Sequence, residues 1–294
     1  MKLLASQHID KRKWDEMVAS DEQLDFFSLS WVWDVLHPNW QMLCSNQGDY
    51  LGPIPLARKF GFSYRLQPFF IRSLNFVPSS VASFPELIQF LASSSPYIHL
   101  NFASTESTLC TGLGQFQQLA LEPSIEELRI GYSSNAKRLL KKIPNTYRFE
   151  SMNSPVDFVS FFKDQKGEEL NGFTGAVWNR LSDFLIETQQ KGLLSLRVVK
   201  EDSNILAAGA FISFKGTCYF FKGTATSEGK KNGAMYFLLD QAISEVQPTH
   251  HTLDFVGSNN EAIAQFYRKF GAANKSYSIL KRNNLPGILK WIKS

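Results

Sequence analysis

The fold of this chain is decided by residues 193–224, which read LLSLRVVKEDSNILAAGAFISFKGTCYFFKGT. Three runs rich in β-branched, aromatic and other apolar residues lie within it, at 193–200, 205–214 and 217–224. The first break holds Asp202, Ser203 and Asn204, and the second is the pair Lys215-Gly216. Apolar runs separated by short polar or glycine-containing turns are typical of antiparallel strands. The block therefore predicts three consecutive antiparallel strands.

The segments on either side of this block alternate between helix and strand. Apolar residues recur at spacings of three and four in 156–163, 174–192, 233–246 and 261–270, which predicts four helices. A two-part helix at 125–143 and short strands at 148–151, 253–256 and 275–281 complete this half of the chain. The predicted order is helix, three antiparallel strands, helix, strand, helix and strand.

A weaker version of the same order precedes it. Residues 51–58 and 64–70 indicate a strand, a turn and a strand, residues 84–92 a helix, and residues 97–102 and 116–121 two further strands, while the first 50 residues look helical. An ungapped comparison of 51–64 with 206–219 pairs Leu51 with Leu206, Gly61 with Gly216, and Tyr64 with Tyr219. We therefore predict an α/β protein with two related domains, 1–124 and 125–294, each a mixed, mostly antiparallel sheet flanked by helices.

Composition narrows the class of protein. A hydrophobic fraction of 44% and a charged fraction of 20% are typical of a globular chain with a real core. The net charge of +4 permits an anionic ligand but is too small to indicate nucleic acid by itself. Cys44, Cys110 and Cys218 are far apart and form no zinc-ribbon or disulfide pattern. No apolar run is long enough for a membrane span or a signal-peptide core, so we expect a cytoplasmic protein.

Several motifs carry a resemblance to a known family. Residues 259–271, NNEAIAQFYRKFG, resemble the signature N-x-x-A…L-Y-x-K-x-G-F of the GNAT superfamily of N-acyltransferases, with Tyr267 four residues before Gly271. The chain is also similar to the FemAB-like, tandem-GNAT proteins. That similarity lies in residues 132–138 with the lysines at 141 and 142, in 254–258, in 270–272, in 285–286, and in the first-half pattern Pro55-Leu56, Lys59-Phe60-Gly61 and Gln67-Pro68-Phe69-Phe70.

The resemblance implies two GNAT-like domains and a transferase that moves an acyl group from acetyl-CoA or another acyl-CoA to an amine. GNAT enzymes hold the donor where two central strands splay apart and where helix N–H groups face its pyrophosphate. The implied donor-binding residues are Lys222, Gly223, Thr224, Lys230, Gly233 and Ala234. Met235 falls where the family pattern Q/R-x-x-G-x-G/A has glycine or alanine. A solvent-exposed connection is therefore the alternative interpretation of residues 227–234.

Two residues are candidates for the chemistry. The resemblance implies that Tyr267 protonates the departing thiolate, and packing beneath the sheet is the alternative. Asp254 ends a short buried strand before Gly257, where burial would raise its pKa toward the range of a general base. An aspartate in that position is also a common turn or capping carboxylate. Water can remove the amine proton in a GNAT site, so a strong base is not required.

A basic cluster and a histidine pair complete the candidates. Lys137, Arg138 and Lys141 lie close together on a predicted helix and could hold the phosphates of a nucleotide-linked acceptor or of tRNA, although a solvent-exposed helix face is the alternative. His250 and His251 are adjacent, and neighbouring side chains on a strand point to opposite faces. We therefore expect no metal site.

Three functions remain open. The first is N-acyl transfer from acyl-CoA to a small-molecule or peptide-like amine, bound in the cleft between the two halves. The second is a FemAB-type transfer from aminoacyl-tRNA to a peptidoglycan precursor. The lysine that FemAB transferases have at the position of Tyr267 is missing here, which counts against it. The third is a catalytically silent GNAT fold used as a binding module, which a closed gap between the central strands would favour.

Overall fold

The computed structural model describes residues 1–59, 61–77, 83–104, 110–170, 172–257 and 259–286. Within these ranges the chain forms two compact units. Unit 1 contains Met1–Gln115 and Ser276–Ser294, and unit 2 contains Phe116–Lys275. The chain therefore leaves unit 1 once and returns to it near its end. The division into domains at 124/125 stays a prediction.

The secondary structure alternates as the sequence predicts over most of the chain. The strands are β1 Lys2–Ala5, β2 Trp40–Cys44, β3 Tyr50–Pro55, β4 Ala57–Lys59, β5 Phe62–Leu66, β6 Tyr97–Phe102, β7 Gly112–Ala120, β8 Tyr147–Ser151, β9 Leu194–Glu201, β10 Asn204–Phe214, β11 Thr217–Ala225, β12 Thr252–Asp254 and β13 Ala273–Asn283. The helices are α1 Lys11–Ser20, α2 Ser30–Leu36, α3 Phe84–Ser94, α4 Ile125–Gly131, α5 Ser134–Leu140, α6 Pro155–Lys166, α7 Gly175–Gln190, α8 Ser227–Lys231, α9 Ala234–Val246 and α10 Glu261–Arg268.

Three details differ from the sequence prediction. The first 50 residues contain the strands β1 and β2 as well as helices, because Lys2–Ala5 pairs antiparallel with Gln41–Cys44. The strand predicted over 64–70 ends at Leu66, where Gln67 begins a loop. The connection at 227–234 is not all loop, since it contains the short helix α8. The predicted turn residues Phe60 and Ser258 lie outside the described residues.

Unit 1 contains two groups of strands. In the first, β1, β2 and β3 pair antiparallel in that order. In the second, β4 and β5 form a hairpin, β5 lies parallel to β6, and the end of β13 pairs antiparallel with β6 from Ser278 to Asn283. Helix α3 connects β5 to β6 and buries Leu87, Ile88 and Leu91.

Unit 2 is a mixed sheet with helices on both faces. Its strand order is β7-β12-β11-β10-β9-β8, with only the β11–β12 pair parallel. On one face α9 packs against β9, β10 and β11, and on the other α6 and α7 pack against the same three central strands. The hairpin between β10 and β11 turns at Lys215 and Gly216, which both have positive φ, at 48° and 72°. The predicted α/β class with mixed sheets flanked by helices is confirmed.

The two units share a local arrangement. In unit 1 the hairpin β4–β5 is followed by α3 and the parallel strand β6, and in unit 2 the hairpin β10–β11 is followed by α8, α9 and the parallel strand β12. The hairpin glycines Gly61 and Gly216 have similar φ values, 77° and 72°. Tyr64 and Tyr219 each lie on the strand that pairs with the parallel partner. This correspondence favours the duplication that the ungapped comparison suggested.

Candidate functional site

The central strands of unit 2 separate part of the way along β11. Strand β12 pairs with β11 only at Thr217, Cys218 and Tyr219, whose partners are Thr252, Leu253 and Asp254. β12 ends there, whereas β11 continues for six more residues to Ala225. Along this stretch the edge of β11 has no paired strand on its β12 side in the described structure. A ligand with hydrogen-bonding groups could therefore pair with its backbone.

A cavity of about 240 Å³ lies beside this open edge. It reaches from the end of α6 on one face of the sheet to α9 and α10 on the other. Its walls are mainly apolar, and the charged side chains among the described lining residues are two lysines. The lining residues are Lys166, Phe220, Gly223, Thr224, Ala225, Lys230, Met235, Ala262, Ile263, Phe266 and Tyr267.

Tyr267 is held in the cavity wall by aromatic packing. Its ring stacks on Phe255, with 4.3 Å between the centroids and 20° between the planes, and it contacts Phe220 edge-on at 6.1 Å. No described residue hydrogen-bonds with the Tyr267 hydroxyl, which remains available to a ligand. Burial raises the pKa of this phenol well above its ordinary value. Tyr267 is therefore a neutral hydrogen-bond donor throughout the neutral and mildly alkaline range.

A β-bulge changes the orientation of side chains along β11. Phe220 lies opposite Phe211, and Lys222 opposite Ala210, so Phe221 is an extra residue in the ladder. Because of this shift Phe220 and Ala225 both belong to the core beneath α9. Lys222 and Thr224 lie on the other face with Phe221, whose ring contacts Phe184 of α7.

The three predicted donor-binding residues of β11 differ in position. Gly223 lines the cavity, and a Cβ there would collide with the ring of Phe220. Thr224 also lines it, and the Thr224 hydroxyl is buried without a hydrogen-bond partner. Lys222 does not line it; its Nζ lies 5.3 Å from the centroid of the Phe221 ring, and burial lowers the pKa of Lys222 to about 8.

Helix α8 brings Lys230 to the mouth of the cavity. The Thr226 hydroxyl caps this helix by accepting from the Gly229 N–H at 2.9 Å. Lys230 is exposed and lines the cavity, and neither an ion pair nor a hydrogen bond holds its ammonium group in the described structure. Across the cavity, Lys166 pairs with Glu169 and thereby lowers the pKa of that carboxylate. Because Glu169 offsets the charge of Lys166, the positive charge at the rim comes mainly from Lys230.

The start of α9 separates the other two predicted donor-binding residues from the cavity wall. Gly233 is the N-cap in a left-handed conformation, at φ 80°, and a Cβ there would approach Ile143 of the connection after α5 to 3.4 Å. Ala234 is fully buried in the core. The next residue, Met235, lines the cavity. The side chain that departs from the family pattern therefore lies in the cavity wall.

Asp254 lies outside the cavity lining and is already engaged. Its side chain is 1% exposed, accepts from the Val256 N–H at 2.6 Å, and accepts from Gln118 Nε2 at 2.9 Å. Val256 has a φ of 56°, which is unusual for a β-branched residue, and the Asp254 carboxylate stabilises this turn. These contacts agree with a turn carboxylate. The role of Asp254 as a general base stays a prediction.

The basic cluster is also away from the cavity lining. Lys137, Arg138 and Lys141 are exposed at the end of α5. Lys137 Nζ donates to the carbonyl of Ile130 at 2.6 Å, and Arg138 donates to Asn135 Oδ1 at 2.9 Å. Both interactions are local, so they leave this helix face open to solvent. Its role in binding an acceptor stays a prediction.

Several lining residues were missed by the sequence analysis. Lys166 ends α6, more than fifty residues before β11, and no local pattern connects the two. Ile263 and Phe266 could have been found, because they recur with the predicted Tyr267 at helical spacing and define one face of α10. Phe220 and Ala225 could not have been found, because an uninterrupted apolar run gives no sign of the bulge that brings them to one face.

Comparison with known proteins identifies the fold. No protein-family model matches the sequence, and no curated protein does. Among solved structures, FemX matches over 100% of both chains at 12% identity with a TM-score of 0.66. A tandem GNAT protein from the clavulanic acid biosynthesis pathway matches over 97% of this chain and 99% of its own, at 10% identity and a TM-score of 0.56. L-PGS from Bacillus licheniformis matches over 96% and 95%, at 13% identity and a TM-score of 0.53.

These similarities establish the fold and no more, because all three identities are low. The chain has the GNAT fold in its tandem, FemAB-like form, which confirms the resemblance found in its sequence. In the described part of the chain, no helix combines the length and apolar character needed to cross a membrane.

Proposed function

We propose, with the tandem GNAT fold as the premise, that this protein is an N-acyltransferase that moves an acyl group from acyl-CoA to an amine. The observation that carries the proposal is the open edge of β11 beside a cavity that Tyr267 lines. A filled gap between the strands would have favoured a silent binding module. A cytoplasmic location remains part of this proposal.

The residues around the cavity fit an acyl-CoA donor. The unpaired backbone edge of Phe220–Ala225 offers amide partners to the pantetheine arm, which carries two amides of its own. Mainly apolar walls suit the alkyl parts of that arm, and the exposed ammonium of Lys230 suits an anionic phosphate at the mouth. Met235 lies where the family pattern has a smaller residue. We therefore expect phosphate binding to depend more on the side chain of Lys230 than on close contact between the phosphate and the backbone at Met235.

The chemistry needs little from the protein beyond positioning. The acceptor amine attacks the thioester carbonyl, and the sulfur leaves as a thiolate while the amine proton passes to water. Tyr267 would donate a hydrogen bond to the departing sulfur. Because its pKa is raised, Tyr267 stays protonated and can donate this hydrogen bond. Full transfer of its proton is less favourable, because proton transfer is most efficient when the pKa of the donor lies near the working pH.

Transfer from aminoacyl-tRNA is the second candidate. It is favoured by the similarity to FemX over the whole chain and by the exposed cluster of Lys137, Arg138 and Lys141, which could bind phosphates. Tyr267 argues against it, since FemAB transferases typically have lysine there. The acceptor under this alternative would be a peptidoglycan precursor, whereas acyl-CoA transfer leaves the acceptor a small-molecule or peptide-like amine.

Calorimetry with acetyl-CoA and the purified full chain tests the donor. We expect binding in the micromolar range and a loss of about five-fold in affinity for Lys230→Ala, the size of one modest charge-assisted contact. Lys231→Ala is the matched control, because Lys231 is an exposed neighbour in α8 that does not line the cavity. Equal losses in both variants would mean that only general charge matters.

Absence of binding at millimolar acetyl-CoA would rule out acyl-CoA as the donor. A binding assay with tRNA at two salt concentrations would then separate the remaining alternatives. Binding that weakens steeply with salt would favour the aminoacyl-tRNA reaction. If neither acetyl-CoA nor tRNA binds, the catalytically silent binding module is the remaining alternative.

A further inference from the structure

The Thr224 hydroxyl is an unsatisfied polar group in the wall of the cavity. The Thr224 side chain is 3% exposed, and its Oγ1 is buried without a hydrogen-bond partner. Thr188 on α7 shows the contrasting arrangement. It is fully buried, but its hydroxyl donates to the Phe184 carbonyl at 2.6 Å. The hydroxyls of Tyr132, Tyr147 and Ser278 are also buried without a partner, but among these four residues only Thr224 lines the cavity.

The fold does not require a hydroxyl at this position. Burying a hydroxyl without a partner lowers stability, whereas valine has the same shape and an equal or better preference for strands. The residue paired with Thr224 on β10 is Ala208, which offers no polar side chain. A ligand that supplies a hydrogen-bond acceptor would remove the cost of the buried hydroxyl.

The place of Thr224 in the cavity indicates which part of a ligand it would meet. Thr224 belongs to the strand wall, and Tyr267 belongs to the α10 wall of the same cavity. Neither hydroxyl has a hydrogen-bond partner in the described structure. A thioester presents two atoms that gain negative charge during transfer, the carbonyl oxygen and the sulfur. Because Thr224 and Tyr267 line the same cavity, each is a candidate to contact one of these two atoms.

We propose that Thr224 Oγ1 donates a hydrogen bond to the acyl carbonyl oxygen of the donor, and that Tyr267 serves the sulfur. This inference rests on the proposed acyl-CoA function and adds a residue to it. Thr224 thereby positions the carbonyl for attack and stabilises the oxygen when it becomes negative.

Acyl transfer then proceeds through a tetrahedral intermediate. The amine lone pair forms a bond to the carbonyl carbon, and the π electrons move to the oxygen that Thr224 contacts. When the intermediate collapses, the C=O bond reforms, the C–S bond breaks, and the sulfur takes the electron pair. The nitrogen loses a proton to water, and the thiolate, which accepts a hydrogen bond from Tyr267, takes up a proton from solvent. No oxidant or metal is needed.

Two ligands that differ only in the acyl group test the assignment. CoA lacks the acyl carbonyl, so Thr224→Val should weaken acetyl-CoA about five- to ten-fold by calorimetry and leave the affinity for CoA unchanged. Thr224→Ser retains the hydroxyl and should recover most of the acetyl-CoA affinity. In the absence of ligand, Thr224→Val should melt about 2 °C or more above the wild type, because a buried unpaired hydroxyl has been removed.

Thr188→Val is the control, since it removes a buried threonine hydroxyl that has a partner. It should not raise the melting temperature and should leave both affinities unchanged. An equal loss of CoA and acetyl-CoA affinity in Thr224→Val, or no loss of either, would overturn the assignment alone. Failure of the wild type to bind acetyl-CoA would overturn the proposed function and this inference with it.

Discussion

Among single residues, Tyr267 gives the clearest prediction for turnover. Its ring is fixed between Phe255 and Phe220, so Tyr267→Phe should keep the packing and remove only the hydroxyl. We expect turnover to fall about ten-fold or more, because the departing sulfur loses a hydrogen-bond donor; the upper limit is the factor of about 10²–10⁴ that a general acid contributes. The measurement is release of the CoA thiol from acetyl-CoA with an amine acceptor. Because the pKa of Tyr267 is raised, its ionisation should not limit activity at mildly alkaline pH.

Tyr236→Phe is the control for this prediction. The Tyr236 hydroxyl contacts Lys269 Nζ at 3.0 Å and does not line the cavity, so turnover should be nearly unchanged. If Tyr267→Phe is as active as the wild type, the tyrosine has only the packing role that the sequence analysis left open. Asp254 would then need testing as the remaining titratable candidate.

Lys222 predicts a dependence of stability on pH. Burial lowers its pKa from 10.5 to about 8, so between these values the unfolded chain binds more protons than the folded one. The folding stability of the wild type should therefore rise from pH 8 to about pH 10.5 through this group. Lys222→Met removes the buried charge and should stabilise the protein at pH 7 by about 1–3 kcal/mol, a figure reduced for partial exposure of the side chain.

Urea unfolding at pH 7 and pH 9.5 measures this effect. The stability difference between Lys222→Met and the wild type should shrink at the higher pH, since the wild-type lysine is then largely neutral in the folded state. Lys231→Met, at an exposed position of α8, should show no such change. A gap of the same size at both pH values would mean that the variant acts through packing rather than charge.

At the scale of elements, α8 depends on close contact with β10. A Cβ on Gly229 would collide with the backbone carbonyl of Leu206, so Gly229→Ala must push the helix away from the strand. We expect a loss of about 1–3 kcal/mol in unfolding free energy and weaker acetyl-CoA binding, because Lys230 moves with the helix. Gly175→Ala at the start of α7 meets open space and should be neutral or slightly stabilising. Urea unfolding and calorimetry on both variants check this.

The sequence predicts the helices and strands better than it predicts where they contact one another. Hydrophobic spacing located α6, α7, α9, α10 and the strand block, because each buries one regular face. The cavity depends on features without such a signal. These are the bulge at Phe221, the early end of β12 after Asp254, and the exact length of α6, which brings Lys166 to the rim. Tyr267, Lys230, Gly223 and Thr224 were found through a family resemblance, and spacing alone would not have found them.

For the whole molecule, the order of strands in space departs from their order in the sequence. The final strand was predicted as part of the second half, yet residues from Ser276 onward belong to unit 1, where Ser278–Asn283 pairs with β6. No local pattern reports this pairing, because any strand of this length could serve either unit. The repeated hairpin, helix and parallel strand is matched in sequence by three residues, two of which, Gly61 and Gly216, also have similar φ values.

The return of the chain to unit 1 has a consequence for folding during synthesis on the ribosome. Unit 2 is continuous, so all of its residues have been translated before the segment that pairs with β6 emerges. During that interval one side of β6 is an exposed edge, which could pair with another nascent chain. Unit 1 is therefore begun first and completed after unit 2. Its sheet stays incomplete for as long as unit 2 takes to be synthesised.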